Sequence, residues 1–142
     1  MSALDRAVLA ERAARVERHL RRVATKLEEL GDAPLEPESD ASDAITLHLW
    51  QAVQTVIDLA VSACVRSGLG APSTYGAAFR ELARVKILEP ELAERLVRAA
   101  GFRNTVAHGY DTLDLALVRA AAENGPADLR ACLAALVTLT GS

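Results

Sequence analysis

Seven apolar residues, Leu9, Ala13, Val16, Leu20, Val23, Leu27 and Leu30, follow one another at steps of 4, 3, 4, 3, 4 and 3. Only an α-helix returns side chains to one face at that period, so the first thirty residues form one long helix with a two-per-heptad seam. Gly31 stands just past the last seam residue, where a helix stops. A helix that buries one stripe needs partners of the same kind, and the rest of the chain supplies them. "GDAPLEPESD" (31–40) reads as an exposed loop. Ser42 or Asp43 is positioned to cap a second helix with the stripe Ile45, Leu49, Val53, Val56, Ile57, Ala60 and Cys64. Gln51, Thr55, Asp58, Ser62 and Arg66 form a polar stripe beside it.

"SGLGAPS" (67–73) ends that helix. Ser73 or Thr74 opens a third, with Tyr75, Phe79, Leu82 and Val85 inward. "EPEL" places Pro90 in the first turn of a fourth, where its missing N–H is harmless. Leu92, Leu96, Ala99 and Val106 share one face of it. Asp111 or Thr112 is expected to cap a short fifth helix. "NGPADL" is expected to break the chain before a last helix at about 127–139, with Leu129, Leu133, Leu136 and Val137 inward. No alternating strand pattern competes. The expectation is an all-α antiparallel helical bundle with short additional helices, one domain over residues 1–142.

Charge and cysteine usage narrow the function classes. Residues 6–26 hold seven Lys/Arg against two Glu, a segment of +5, which leaves −8 on the remainder of a chain whose net charge is −3. The molecule as a whole is not a polycation, but its first helix offers a basic face, either simply solvated or used on RNA or a partner protein. Aromatic residues are too sparse there to stack bases. Cys64 and Cys132 sit in apolar patterns and are expected to be buried thiols. No uninterrupted apolar run approaches a membrane span, and the charged start "MSALDRAVLAER" does not suit a signal peptide. A cytoplasmic protein without a membrane role is expected. His19 and His48 have no Cys or acidic neighbours at metal-ligand spacing, so no metal or other cofactor is expected.

The chemistry gathers in "GFRNTVAHGYDTLD" (101–114). Arg103 falls in register with the apolar face of the fourth helix, an expensive place for a guanidinium unless it is paired or faces another polar surface. Asn104 and His108 are four apart and share a face. Arg103 and His108 are five apart, roughly 140° around an ideal helix, and point in different directions. They serve one site only if the helix loosens near Gly109 or if a second copy contributes. From spacing alone two readings stand. In one, Arg103 pairs with a carboxylate such as Asp58, His108 suits the helix C-terminus, and Tyr110 packs. In the other, His108 moves a proton and Arg103 grips phosphate.

"FRNTVAHGY" resembles the Arg-x4-His-x-Tyr signature of the HEPN superfamily, specifically the HepT-like toxins. Residues 49–110 resemble that family in order and spacing. They carry "Q-x-x-I-D-L-A" (54–60) on the second helix, "P-S-T-Y-x-x-A-F-x-x-L" (72–82) on the third, and then the signature. Ala77 departs from the Glu frequent in relatives. The resemblance implies a HEPN-like bundle and a metal-independent endoribonuclease with its site at a homodimer interface. It also implies a minimal nucleotidyltransferase antitoxin of the MntA type that transfers AMP from ATP to a toxin tyrosine. Carried over, Arg103 and His108 are catalytic, Asn104 is a supporting residue with Asp58 as a candidate partner, and Tyr110 accepts AMP. The competing expectation is a non-catalytic helical module that docks a nucleotidyltransferase and presents its substrate.

Overall fold

A computed structural model describes residues 4–141. Five α-helices carry the chain: α1 (Arg6–Leu30), α2 (Asp40–Arg66), α3 (Tyr75–Arg84), α4 (Pro90–Gly109) and α5 (Leu115–Val137). A 3-10 turn, Tyr110–Thr112, joins the last two. The seam of α1 is realised. Leu9, Val16, Leu20 and Val23 are buried, and Ala13, Leu27 and Leu30 pack partly against the core. Asp5 caps α1 by accepting from the Val8 amide at 3.0 Å, and Gly31 ends it at φ 61°, a conformation that glycine adopts without strain.

α2 is the hub, packed against all four other helices. That position explains its composition. It is long and apolar enough to cross a membrane by length and sequence, yet half of its most apolar window is buried inside the fold. Fully burying a side chain such as Leu49 or Ile57 contributes about 1.5–3 kcal/mol, and 12 of the 27 residues of α2 are buried. The expected cap at Ser42 or Asp43 is corrected to Ser39, which accepts from the Ser42 amide. The Ser42 hydroxyl is buried and donates to the Glu36 carbonyl at 2.7 Å, so it is committed to the preceding loop.

Thr74 caps α3 as expected, and Pro90 occupies the first turn of α4. Of the residues read as inward, Val85 is exposed, because α3 has already ended at Arg84. The larger correction concerns the C-terminal third. Instead of a short fifth helix, a break and a last helix, one helix of 23 residues runs through Pro126. Proline there removes one intrahelical hydrogen bond. Val118 and Ala122 before it and Leu129, Cys132, Leu133 and Leu136 after it are all buried, and that packing outweighs the local signal. Asp114 caps this helix, accepting from the Ala116 amide at 2.9 Å, in place of Asp111 or Thr112. Val137, read as inward, is exposed at its end. Both cysteines are free and buried, and burial pushes the Cys132 thiol up to about 12.

Candidate active site

Three helices meet around one guanidinium. Arg103, on α4, is half-buried. Its Nε donates to Oε1 of Gln54 on α2 at 2.5 Å, and its Nη1 to Oδ1 of Asn104 at 3.2 Å. Its Cζ lies 5.1 Å from the ring centroid of Tyr75 on α3 and 5.9 Å from that of Trp50 on α2, within cation–π range. Gln54 is itself oriented, donating from Nε2 to Oδ1 of Asp58 at 2.9 Å. Gln54 and Asp58 are four apart and therefore neighbours on one helix face.

This arrangement corrects the expected ion pair. Asp58 does not pair with Arg103; the Gln54 amide stands between them. The amide oxygen faces the cation and the amide N–H faces the carboxylate, an orientation that suits both neighbours. Among the described residues Arg103 makes no ion pair. Its charge is held by neutral acceptors and aromatic faces, which fix its direction without cancelling it. Such a guanidinium is prepared for an anion.

His108 lies in the last turn of α4 and is exposed. The helix remains α-helical through Gly109, so no loosening brings His108 round to Arg103 within one chain. Gly109 leads into the turn that follows. A Cβ there would come within 3.2 Å of Thr112 Oγ1, which donates to the Gly109 carbonyl. That turn presents Tyr110, which is 46% exposed. Its hydroxyl donates to Oδ1 of Asp43 on α2 at 2.7 Å. Partial burial and the Asp43 carboxylate push the phenol up to about 12. Asp43, expected as a helix cap, is instead the tyrosine's acceptor.

Four neighbours of the site were not assigned to it from the sequence: Trp50, Gln54, Tyr75 and Asp43. Two of them lay inside the stretches that carry the family resemblance. Gln54 opens "Q-x-x-I-D-L-A" and Tyr75 is the tyrosine of "P-S-T-Y". The three stretches, far apart in sequence, converge on Arg103. Trp50 carries one further signal, a buried Nε1–H with no hydrogen-bond partner.

Comparisons with known proteins establish the family and the fold. The HepT-like ribonuclease profile matches residues 16–136. The tRNA nuclease HepT of Aphanizomenon flos-aquae is 37% identical over 71 residues, which are 49% of this chain and 48% of that one. The chain thus spans about half the length of the curated relative it matches. The fold is shared with a tri-AMPylated HEPN toxin of Shewanella oneidensis solved in complex with its MNT antitoxin. The TM-score is 0.80 at 20% identity, over 92% of this chain and 97% of that one. A toxin–antitoxin structure with AMP-PNP gives 0.81 at 20% identity, over 93% and 98%. With the family profile spanning all the stretches that build the Arg103 site, the chain belongs to the HepT-like ribonuclease family, on an all-α HEPN fold.

Proposed function

We propose that this protein is a metal-independent endoribonuclease toxin whose site is completed by a second copy of the chain. One observation carries the reading: a fixed, uncompensated Arg103 guanidinium stands five residues before an exposed His108 in the family signature. In the reaction, His108 accepts the proton of a ribose 2′-hydroxyl as its oxygen attacks the adjacent phosphorus. Arg103 holds the charge that grows on the non-bridging oxygens. The 5′-oxygen leaves as a hydroxyl, taking a proton from water or from the His108 imidazolium, and the other product ends in a 2′,3′-cyclic phosphate. Because one straight helix turns the two groups apart, the His108 that meets a given Arg103 belongs to a homodimer partner. Leu47 and Val65, about half exposed on the face of α2 that also holds Gln54, supply apolar surface for that contact.

The partner in this reading is a cytoplasmic MntA-type nucleotidyltransferase antitoxin, and Tyr110 is the AMP acceptor. The tyrosine is displayed on a turn beside the motif, open to another enzyme's active site. An added AMP brings a phosphate that Arg103 can capture and an adenosine that fills the cleft RNA needs. The deciding experiment is cleavage of single-stranded RNA by the purified chain in EDTA, with product ends analysed. Activity that persists, with cyclic phosphate ends and a loss of about 10²–10⁴-fold in His108→Ala, supports the reading. Activity abolished by chelation and restored by a divalent ion refutes it.

A further inference from the structure

A second surface stands apart from Arg103, in the groove of about 440 Å³ between α1 and α2. Arg18, Arg21, Arg22 and Lys26 reach it from α1 and His48 from α2. Its one acid, Glu29, is held by Lys26 at 3.3 Å. Glu17, whose carboxylate also feels the charge of Arg21, is taken by Arg130 across to α5. Arg18 and Arg22 form no ion pair among the described residues. The cations of this groove thus outnumber the carboxylates free to answer them.

Beside the groove, Nδ1 of His48 faces Nδ1 of His19 at 3.0 Å. Two nitrogens at that distance share a single proton, so one ring donates and the other accepts. With Nδ1 engaged, Nε2 of His48 is the ring nitrogen left for a ligand. Partial burial holds both imidazoles below their ordinary range; His48 and then Arg22, Arg18 and Arg15 add to this at His19, and Arg22 adds to it at His48.

We propose that this groove is a second RNA-binding site, one that holds the phosphate backbone of the substrate away from the scissile bond. The inference rests on the ribonuclease reading above and extends it to substrate length. Three features favour RNA backbone over a protein partner. The lining offers no aliphatic, Phe, Tyr or Trp anchor of the kind that a protein interface is built around. Arg18, Arg22 and Lys26 recur every four residues, about 6 Å along the helix axis, so they present a line of charge rather than a point. No Phe, Tyr or Trp lies among the lining residues, and the one ring there, His48, is tied to His19, so the contact is mainly with phosphates. The groove is also at the level of the site. His48 and Trp50 are two residues apart on α2, about 3 Å along its axis, and point to opposite flanks.

The test uses the full chain and a fluorescent 25-nucleotide 2′-O-methyl RNA, which binds but offers no 2′-hydroxyl to attack. Anisotropy titrations over a range of salt give the affinity and its salt slope. Arg18→Ala/Arg22→Ala should weaken binding about tenfold or more at 150 mM salt and reduce the log–log slope by about 1.4, the release expected for two phosphates on a single strand. Arg80→Ala/Arg84→Ala, on α3 where both arginines pair with glutamates, should leave the slope unchanged. Equal effects from the two double variants, or none from the first, overturn the proposal. So does a loss of antitoxin binding with RNA binding intact, which would assign the groove to the protein partner. Cleavage of unmodified RNA is followed separately. A wild-type chain that binds through the groove yet cuts nothing refutes the ribonuclease reading alone.

Discussion

Gln54→Glu exchanges one NH2 for an oxygen at the centre of the site and changes nothing in volume. It is therefore a test of whether the neutrality of Gln54 matters. In the native arrangement Arg103 Nε meets an amide oxygen at 2.5 Å, and no carboxylate touches the guanidinium. A carboxylate at residue 54 makes that hydrogen bond charge-assisted and roughly doubles its strength, to about 1.5–3 kcal/mol. A substrate phosphate must compete with that pairing. The gain over the neutral bond is about 0.8–1.5 kcal/mol, so at 1.4 kcal/mol per factor of ten RNA binding and kcat/KM should fall by about 3- to 12-fold. The new carboxylate also faces Asp58, where the amide donated at 2.9 Å. That repulsion favours protonation of one of the pair and holds the effect to the lower part of the range near neutral pH. The assay is single-turnover cleavage of a short labelled RNA, with thermal unfolding followed by circular dichroism as the check on the fold. Gln54→Leu, which removes the clamp without adding charge, should lose less. A Gln54→Glu enzyme as active as wild type refutes the argument that an uncompensated Arg103 is what the site preserves.

Other outcomes follow from the same geometry. If each site takes Arg103 from one subunit and His108 from the other, mixing inactive Arg103→Ala and His108→Ala chains should restore cleavage at about half of the mixed dimer's sites; no recovery, or a monomer by light scattering at micromolar concentration, counts against the shared site. Tyr110 has its phenol raised to about 12, so its ultraviolet titration should lie above the ordinary tyrosine range, and Asp43→Asn should bring it down. A raised tyrosine pKa stabilises the fold below about pH 10 and is lost as pH climbs toward 12, so alkaline unfolding should show the matching dependence. Incubation with a nucleotidyltransferase antitoxin, ATP and Mg²⁺ should add AMP mass that Tyr110→Phe abolishes; inhibition without added mass points to steric cover. His19 and His48 have lowered pKa values, so their contribution is complete above the ordinary histidine value near 6.5. It is lost as pH falls below that value, and the melting temperature should drop between pH 7 and pH 5, less so in His48→Gln.

The sequence made the bundle legible where one signal dominated. The 4-3 spacing of α1, the Thr74 cap and Pro90 at the start of α4 each act locally, and no distant contact opposes them. The misreadings occurred where local and tertiary signals conflict. "NGPADL" carries every mark of a break, yet Leu129, Cys132, Leu133 and Leu136 bind their helix to the core as firmly as Val118 and Ala122 bind the half before Pro126. A proline costs about 3 kcal/mol within a helix, and several buried aliphatic side chains together exceed that. The cap of α2 shifted for a related reason. Ser39 and Ser42 are both good caps and both hydroxyls meet the Glu36 carbonyl; it is Ser39 Oγ that accepts a first-turn amide, from Ser42, a loop geometry no residue count supplies.

The site was half legible for a geometric reason. Arg103 announced itself as a charge in an apolar register, and the 140° separation from His108 already argued that one helix cannot assemble the pair. What resolves the cost of Arg103, however, comes from residues 28 to 53 positions away in sequence: Tyr75 on α3, Trp50 and Gln54 on α2. Spacing analysis sought a carboxylate, because a buried cation is ordinarily answered by one, and Asp58 was in place to be chosen. The protein answers with an amide and two aromatic faces instead. That choice suits the phosphate-gripping reading proposed above better than the purely structural one. A structural arginine gains most from a carboxylate that neutralises it. One that must bind and release phosphate is better served by groups that hold its plane while leaving its charge unspent.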